Sequence, residues 1–289
     1  MPEAPQPAAR LEELPEAQAT GELRRIYAEI RELSGVPMVA LIYRHLATLP
    51  GVLPWAWGLL GPAMRAGAVQ QRAWKLARAA AIERQPALPA AALRAVGVGE
   101  AEQRTIAQVL AVYNRHNPVN FIAVRCLSLH LAGCRFDGTA DEQWPAWTPP
   151  QPLPELPPMV DPAAMAPTVR ELALLLGNRG PTATPSPLWP SLYRHLAHWP
   201  AFLGYASVLL PPEYDAIDEA AAQLRKGADA AAAAFASALR PSPRLPAPSG
   251  EQARRLQSAI AQFSVRIPEM VVIGNVLHRA LPAGAKEPE

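Results

Sequence analysis

A stretch of 22 residues occurs twice in this chain, and the repeat constrains the fold more than any other feature. Residues 42–63 read IYRHLATLPGVLPWAWGLLGPA and residues 192–213 read LYRHLAHWPAFLGYASVLLPPE, with 11 of 22 positions identical and no gap. The offset of 150 persists: Leu110, Ala111, Tyr113 and Pro118 stand opposite Ile260, Ala261, Phe263 and Pro268. So long a period is not a stacking unit of about 20–50 residues. It reads as a half-protein, duplicated and fused. Two copies of one fold are expected to pack like a homodimer about a pseudo-twofold axis, so that a site on their interface draws on both.

Each copy reads as helices punctuated by proline and glycine. Thr20–Leu33 spaces Leu23, Ile26, Tyr27 and Ile30 at three and four, with Thr20 as N-cap and Gly35-Val36-Pro37 as the stop. Further helices are expected over 70–83, 101–114 and 118–132, then 169–176, 188–210, 214–239, 251–265 and 268–280. The alanine-rich 220–238 reads as a solvated helix with a thin apolar stripe. No run of alternating β-branched residues suggests a strand. The expected fold class is all-α: two tandem helical repeats packed as an intramolecular pseudo-dimer. The expected divisions are a loose N-terminal arm (1–17), repeat 1 (18–133), a Pro-rich extended connector (134–167), repeat 2 (168–282) and a C-terminal tail (283–289).

Composition excludes several function classes. The net charge is only +2 and scattered, with no basic stripe interleaved with aromatics, so no nucleic-acid partner is expected. The apolar stretch Val52–Met64 is broken by Pro54 and Pro62 and too short for a bilayer, so no membrane partner is expected. The 2 cysteines cannot make a disulfide framework, which fits a cytoplasmic protein. The first residues are acidic and Pro-rich, without the apolar run of a leader. Cys126 and His130, four apart, share a helical face but lack further ligands, so neither metal nor cofactor is expected.

Where the copies agree, packing is the simplest reading. Tyr43-Arg44-His45 and Tyr193-Arg194-His195 read as a structural corner, with an anion site at the pseudo-axis as the functional alternative. Where the copies differ, function is the sharper reading. Tyr113-Asn114-Arg115-His116-Asn117-Pro118-Val119-Asn120 is polar, whereas its counterpart 263–270 is far more apolar. A helix starting at Pro118 would place these amides and free backbone N–H groups around a carboxylate.

GVPMVA at 35–40, LATLPGVLPWAW at 46–57, YNRHNP at 113–118, LAHWP at 196–200 and EYDA at 213–216 stand in order along the chain, together with the duplication and the connector. In these features the chain resembles the group I 2-haloacid dehalogenases, the DehI family. The resemblance implies an all-helical pseudo-dimer with its site between the repeats, acting on a small-molecule carboxylic acid. Short 2-halo acids are hydrolysed with inversion and without cofactor or metal; an Asp activates water, an Asn helps hold it, and the water attacks the halogen-bearing carbon directly. The family's Asn falls on Asn114. Its catalytic Asp falls on Leu192, after the retained Ser191, and an aromatic of the family falls on Met38. The resemblance extends the substrate-binding set to Met38, Leu41, Tyr113, Asn117, Ser191, Leu192 and Arg194. It also allows a homodimer. Because Leu192 takes no proton, the expected bases are His195, one helical turn beyond it, or His116 beside Asn114, with His45 a further option. The remaining reading is a catalytically silent paralogue that binds a small carboxylic acid or apolar ligand between the repeats.

Overall fold

The computed structural model describes residues 11–80, 82, 87–139, 144–179 and 189–285. Among them are eleven α-helices and no β-strand, so the chain is all-α. The first half carries α1 (Gly21–Ser34), α2 (Leu41–Leu46), α3 (Val52–Arg65), α4 (Ala68–Ala79), α5 (Ala90–Ala95) and α6 (Glu100–Leu131). The second carries α7 (Pro167–Gly177), α8 (Ser191–Leu196), α9 (Pro200–Leu209), α10 (Tyr214–Ala238) and α11 (Gly250–Ala280). The starts of α2 and α8, and of α6 and α11, lie 150 residues apart (41 and 191, 100 and 250).

The two long helices correct the expected boundaries. α6 runs through Pro118 and α11 through Pro268, where breaks were expected. A proline inside a helix removes one N–H bond and costs roughly 3 kcal/mol. Burial offsets that cost, because Val119, Phe121, Ile122, Ala123, Val124, Cys126 and Leu127 all lie in the core just beyond Pro118. Hence no helix begins at Pro118, and no ring of free backbone N–H groups exists there. The expected helix over 188–210 is instead two: the described part splits into α8 and α9 before Pro200, and position 188 lies outside the described residues. The ends of 70–83 and 283–289 also reach beyond them. Thr20 holds the extended backbone of an N-cap without a side-chain cap bond, and Gly35 stops α1 in the left-handed region at φ 59°.

α6 and α11 make the most extensive contact in the molecule and run antiparallel. Asn114 Nδ2 donates to the Gly274 carbonyl at 3.2 Å, and Arg125 donates to Ser264 Oγ at 3.3 Å. Two hydrophobic cores flank this pair. One packs α1–α4 against the C-terminal half of α6 and the N-terminal half of α11. The other packs α7–α9 against the opposite halves, with α10 spanning both cores. α10 is therefore more embedded than a solvated helix: Ala220, Ala221, Leu224, Ala228, Ala231, Ala232 and Phe235 are buried, and Gly227 lies against Leu76 of α4.

The arm is not loose over its described part. Leu14 N donates to the Arg44 carbonyl at 2.9 Å, Tyr27 donates to the Leu14 carbonyl, and Glu16 accepts from Val39 N at 2.7 Å. Its residues 1–10 lie outside the described ones. The connector has neither helix nor strand over 144–161 and lies across both halves as a strap. Leu153 N donates to the Gly35 carbonyl, the Trp147 indole lies against Gly67, and Val160 N donates to the Arg194 carbonyl.

Candidate functional site

A cavity of about 80 Å³ opens beside the crossing of α6 and α11, where α2 and the start of α8 close on the pair. Its walls come from both halves in matched positions 150 apart. On the long helices the pairs are Tyr113 and Phe263, His116 and Arg266, Asn117 and Ile267, and Asn120 and Met270. On the shorter segments they are Val39 and Trp189, Ala40 and Pro190, Leu41 and Ser191, and Ile42 and Leu192. Met38, Arg44 and Met159 complete the wall. Positions 113, 116, 117 and 120 follow the i, i+3, i+4, i+7 spacing, so they form one face of α6. The same face of α11 supplies its four residues. One wall is therefore polar and the other mostly apolar.

Within this cavity His116 and Asn120 stand out. Both are almost fully buried, and neither His116 Nε2 nor Asn120 Oδ1 has a hydrogen-bond partner. A buried polar atom left unpaired costs about 1–3 kcal/mol, so two on adjacent turns of one helix face call for a polar guest. His116 stacks on the Tyr43 ring, with centroids 6.5 Å apart. Burial pushes its pKa down to about 4, so the ring is neutral at ordinary pH. Arg44 also lines the cavity and pairs with Glu13 at 3.0 Å. Arg266 pairs with Glu269 at 2.8 Å. No carboxylate lines the cavity among the described residues.

Of the residues singled out in the sequence, Met38, Leu41, Tyr113, His116, Asn117, Ser191 and Leu192 meet at this wall, together with Arg44 and Asn120. Asn114, His195, Arg194 and His45 do not. Asn114 sits about 100° around α6 from the polar stripe. It turns to the α11 seam, where a Cβ on Gly274 would stand 2.3 Å from Asn114 Oδ1. His195 lies behind Tyr113: its Nδ1 is 2.7 Å from the Tyr113 hydroxyl, and its ring also bonds the Pro157 carbonyl. An N–H given to Pro157 leaves Nδ1 to accept the tyrosine proton. Burial pushes His195 down to about 4 as well, with the Arg194 charge acting in the same direction. With its ring nitrogens occupied by Tyr113 and the strap, His195 is not placed to take a proton from a cavity water. Arg194 is turned to the strap, its Nε donating to the Val160 carbonyl at 3.3 Å.

These contacts account for the duplicated Tyr-Arg-His-Leu-Ala. In the first copy, the arm bonds His45 Nδ1 through the Glu12 carbonyl and the Arg44 carbonyl through Leu14 N. In the second, the strap bonds His195 through the Pro157 carbonyl and the Arg194 carbonyl through Val160 N. The motif is thus a corner clasped by an extended segment. His45 serves in that corner through Nδ1 and does not line the cavity. Cys126 and His130 are also packing residues: burial pushes the thiol up to about 12, and His130 stacks on Trp55 at 5.7 Å.

Sequence reading missed Arg266, Asn120 as a distinct site residue, and the apolar contributions of Trp189, Met159, Phe263 and Met270. The offset could have found Arg266, since it stands 150 positions after His116. No sequence signal marks Met159, which the strap brings to the cavity from far along the chain.

No protein-family model matches the chain. A configuration-inverting 2-haloacid dehalogenase from Alcaligenes xylosoxydans xylosoxydans is 32% identical over 118 residues, which is 40% of this chain and 40% of the relative. Among solved structures, a D-2-haloacid dehalogenase mutant in complex with D-2-CPA matches with a TM-score of 0.71 and 21% identity, over 94% of this chain and 95% of the other. A further D-2-halacid dehalogenase mutant matches at 0.71 and 23% identity, over 96% and 97%. The D-2-haloacid dehalogenase complex with L-LA matches at 0.66 and 21%, over 96% and 97%. At such identities the likeness establishes a shared fold along nearly the whole chain.

Proposed function

We propose that this chain is a 2-haloacid dehalogenase-like hydrolase whose site is the seam cavity, and that its two halves are copies packed as an intramolecular pseudo-dimer. The single observation that carries the reading is the pair of unpartnered acceptors, His116 Nε2 and Asn120 Oδ1, in a small cavity that two arginines also line. A water donating one proton to each acceptor keeps its lone pairs directed outward. A short 2-halocarboxylate is drawn in by Arg44 and Arg266, with its halogen and alkyl group against the apolar wall. The volume admits only a small acid: it is about half of the roughly 150 Å³ that holds a benzene.

The reaction is a direct displacement. The water oxygen attacks the carbon bearing the halogen, the carbon–halogen bond breaks, and halide leaves with the bonding pair. His116 Nε2 takes the water proton, and the product is the 2-hydroxy acid with inverted configuration. The substrate's negative charge favours protonated His116, which raises its basicity in the complex. A base at about 4 in the free protein is weak, so turnover is slow. The partial alignment to a configuration-inverting dehalogenase and the full-length fold likeness support this reading.

Leu192 favours a second reading. It is buried at the position where the resemblance expects an Asp, and in this reading the cavity is a carboxylic-acid binding site without turnover. Halide release and binding are measured together on 2-chloropropionate, with wild type and His116→Gln. Halide from wild type but not from the variant supports the hydrolase. Binding with no halide at any pH leaves the binder, and neither binding nor halide refutes both.

A further inference from the structure

The α11 wall carries a charge cluster that its α6 counterpart lacks. Positions 116 and 119 on α6 are His and Val; positions 266 and 269 on α11 are Arg and Glu. The repeated packing therefore does not require these charges. Glu269 is only 6% exposed. One of its oxygens accepts from Arg266 at 2.8 Å. The other lies 3.0 Å from Arg179 Nε, a charge contact too bent for a hydrogen bond. Arg179 is held hard in turn. It donates to Asp218 at 2.5 Å and to the Tyr214 carbonyl at 3.1 Å, and its guanidinium stands 4.4 Å over the Tyr214 ring. It is also the one non-glycine among the described residues with positive φ, 59°, a conformation that disfavours any residue with a Cβ.

Buried ion pairs are poor devices for stability, because desolvation offsets most of their attraction. This cluster places two cations around one buried carboxylate, and the second carboxylate, Asp218, is 61% exposed and screened by solvent. Among the described residues, the buried part thus sets two guanidinium groups against one carboxylate beside the cavity. We propose that Arg266 is the anchor for the substrate carboxylate, and that Glu269 and Arg179 are positioning residues that hold its guanidinium at the cavity wall. The proposal rests on the carboxylic-acid reading of the cavity and assigns that recognition to one arginine and its support.

The test is binding at pH 7.5 of 2-chloropropionate and its uncharged analogue 2-chloropropionamide to the full chain. Arg179→Asn keeps a residue that tolerates the left-handed backbone while removing the charge; Arg179→Lys keeps the charge. Arg179→Asn is expected to raise the Kd for the anion about tenfold and leave that for the amide within about twofold. Arg179→Lys is expected to recover most of the anion affinity, and thermal melting checks that both variants fold. Anion binding by Arg179→Asn equal to wild type overturns the proposal, as does an equal loss for anion and amide. A wild type that binds neither compound refutes the carboxylic-acid reading itself, and this inference with it.

Discussion

Acid should destabilise this protein in part through His116, and the share is calculable. Unfolded, a histidine titrates near 6.5; folded, burial holds His116 at about 4. As pH falls, the unfolded chain takes up this proton first. The contribution is therefore whole above about pH 6.5 and is lost progressively down to about 4. Linkage puts the loss at about 2 kcal/mol by pH 5 and about 3 kcal/mol once both states are protonated. Against a total stability of roughly 5–15 kcal/mol this is readily measured. Urea unfolding at pH 7.5 and pH 5.0 is compared for wild type and His116→Gln. His195 titrates equally in both proteins and cancels. Wild type should lose about 2 kcal/mol more than the variant between the two pH values. Equal losses, or an imidazole that titrates near 6.5 in the folded protein by NMR, would refute the reasoning.

Other consequences follow from single contacts. Tyr113→Phe removes the hydroxyl bonded to His195 and leaves its Nδ1 unpaired, so unfolding free energy should fall by about 1–3 kcal/mol. Gly67→Ala should release the strap: φ is +69° there, and the new Cβ would stand 2.1 Å from the Trp147 indole. The expected result is a red-shifted tryptophan emission and a stability loss of about 1–3 kcal/mol. Thiol titration of the native protein should find Cys134 reactive and Cys126 silent, since Cys126 is buried with its pKa near 12 while Cys134 is exposed. Two equally reactive thiols would contradict the packing around α6.

The helical class was legible because apolar spacing of three and four is a local property of the chain. The passage of α6 and α11 through Pro118 and Pro268 was not. A proline's penalty is local, whereas the burial that offsets it comes from helices far away in sequence. The same error displaced Asn114. Read as part of a helix start, it belonged with Asn117; in a continuous helix it faces another way, toward Gly274. Tyr113, His116 and Asn117 were legible because the two copies differ there. Arg194 and His195 were misassigned because sequence cannot show that the strap clasps them. Arg266 was hidden inside an apolar stretch, although the repeat itself points to it.

The central claim is that the seam cavity carries out halide displacement with His116 in place of the absent carboxylate. Halide release from racemic 2-chloropropionate, compared among wild type, His116→Gln and Leu192→Asp, tests it most directly. Wild type should release halide slowly, His116→Gln not at all, and Leu192→Asp faster, since its carboxylate enters the same cavity. Release only by Leu192→Asp would contradict the histidine role and leave a binding site that has lost its chemistry. Silence in all three would contradict the dehalogenase reading of the cavity.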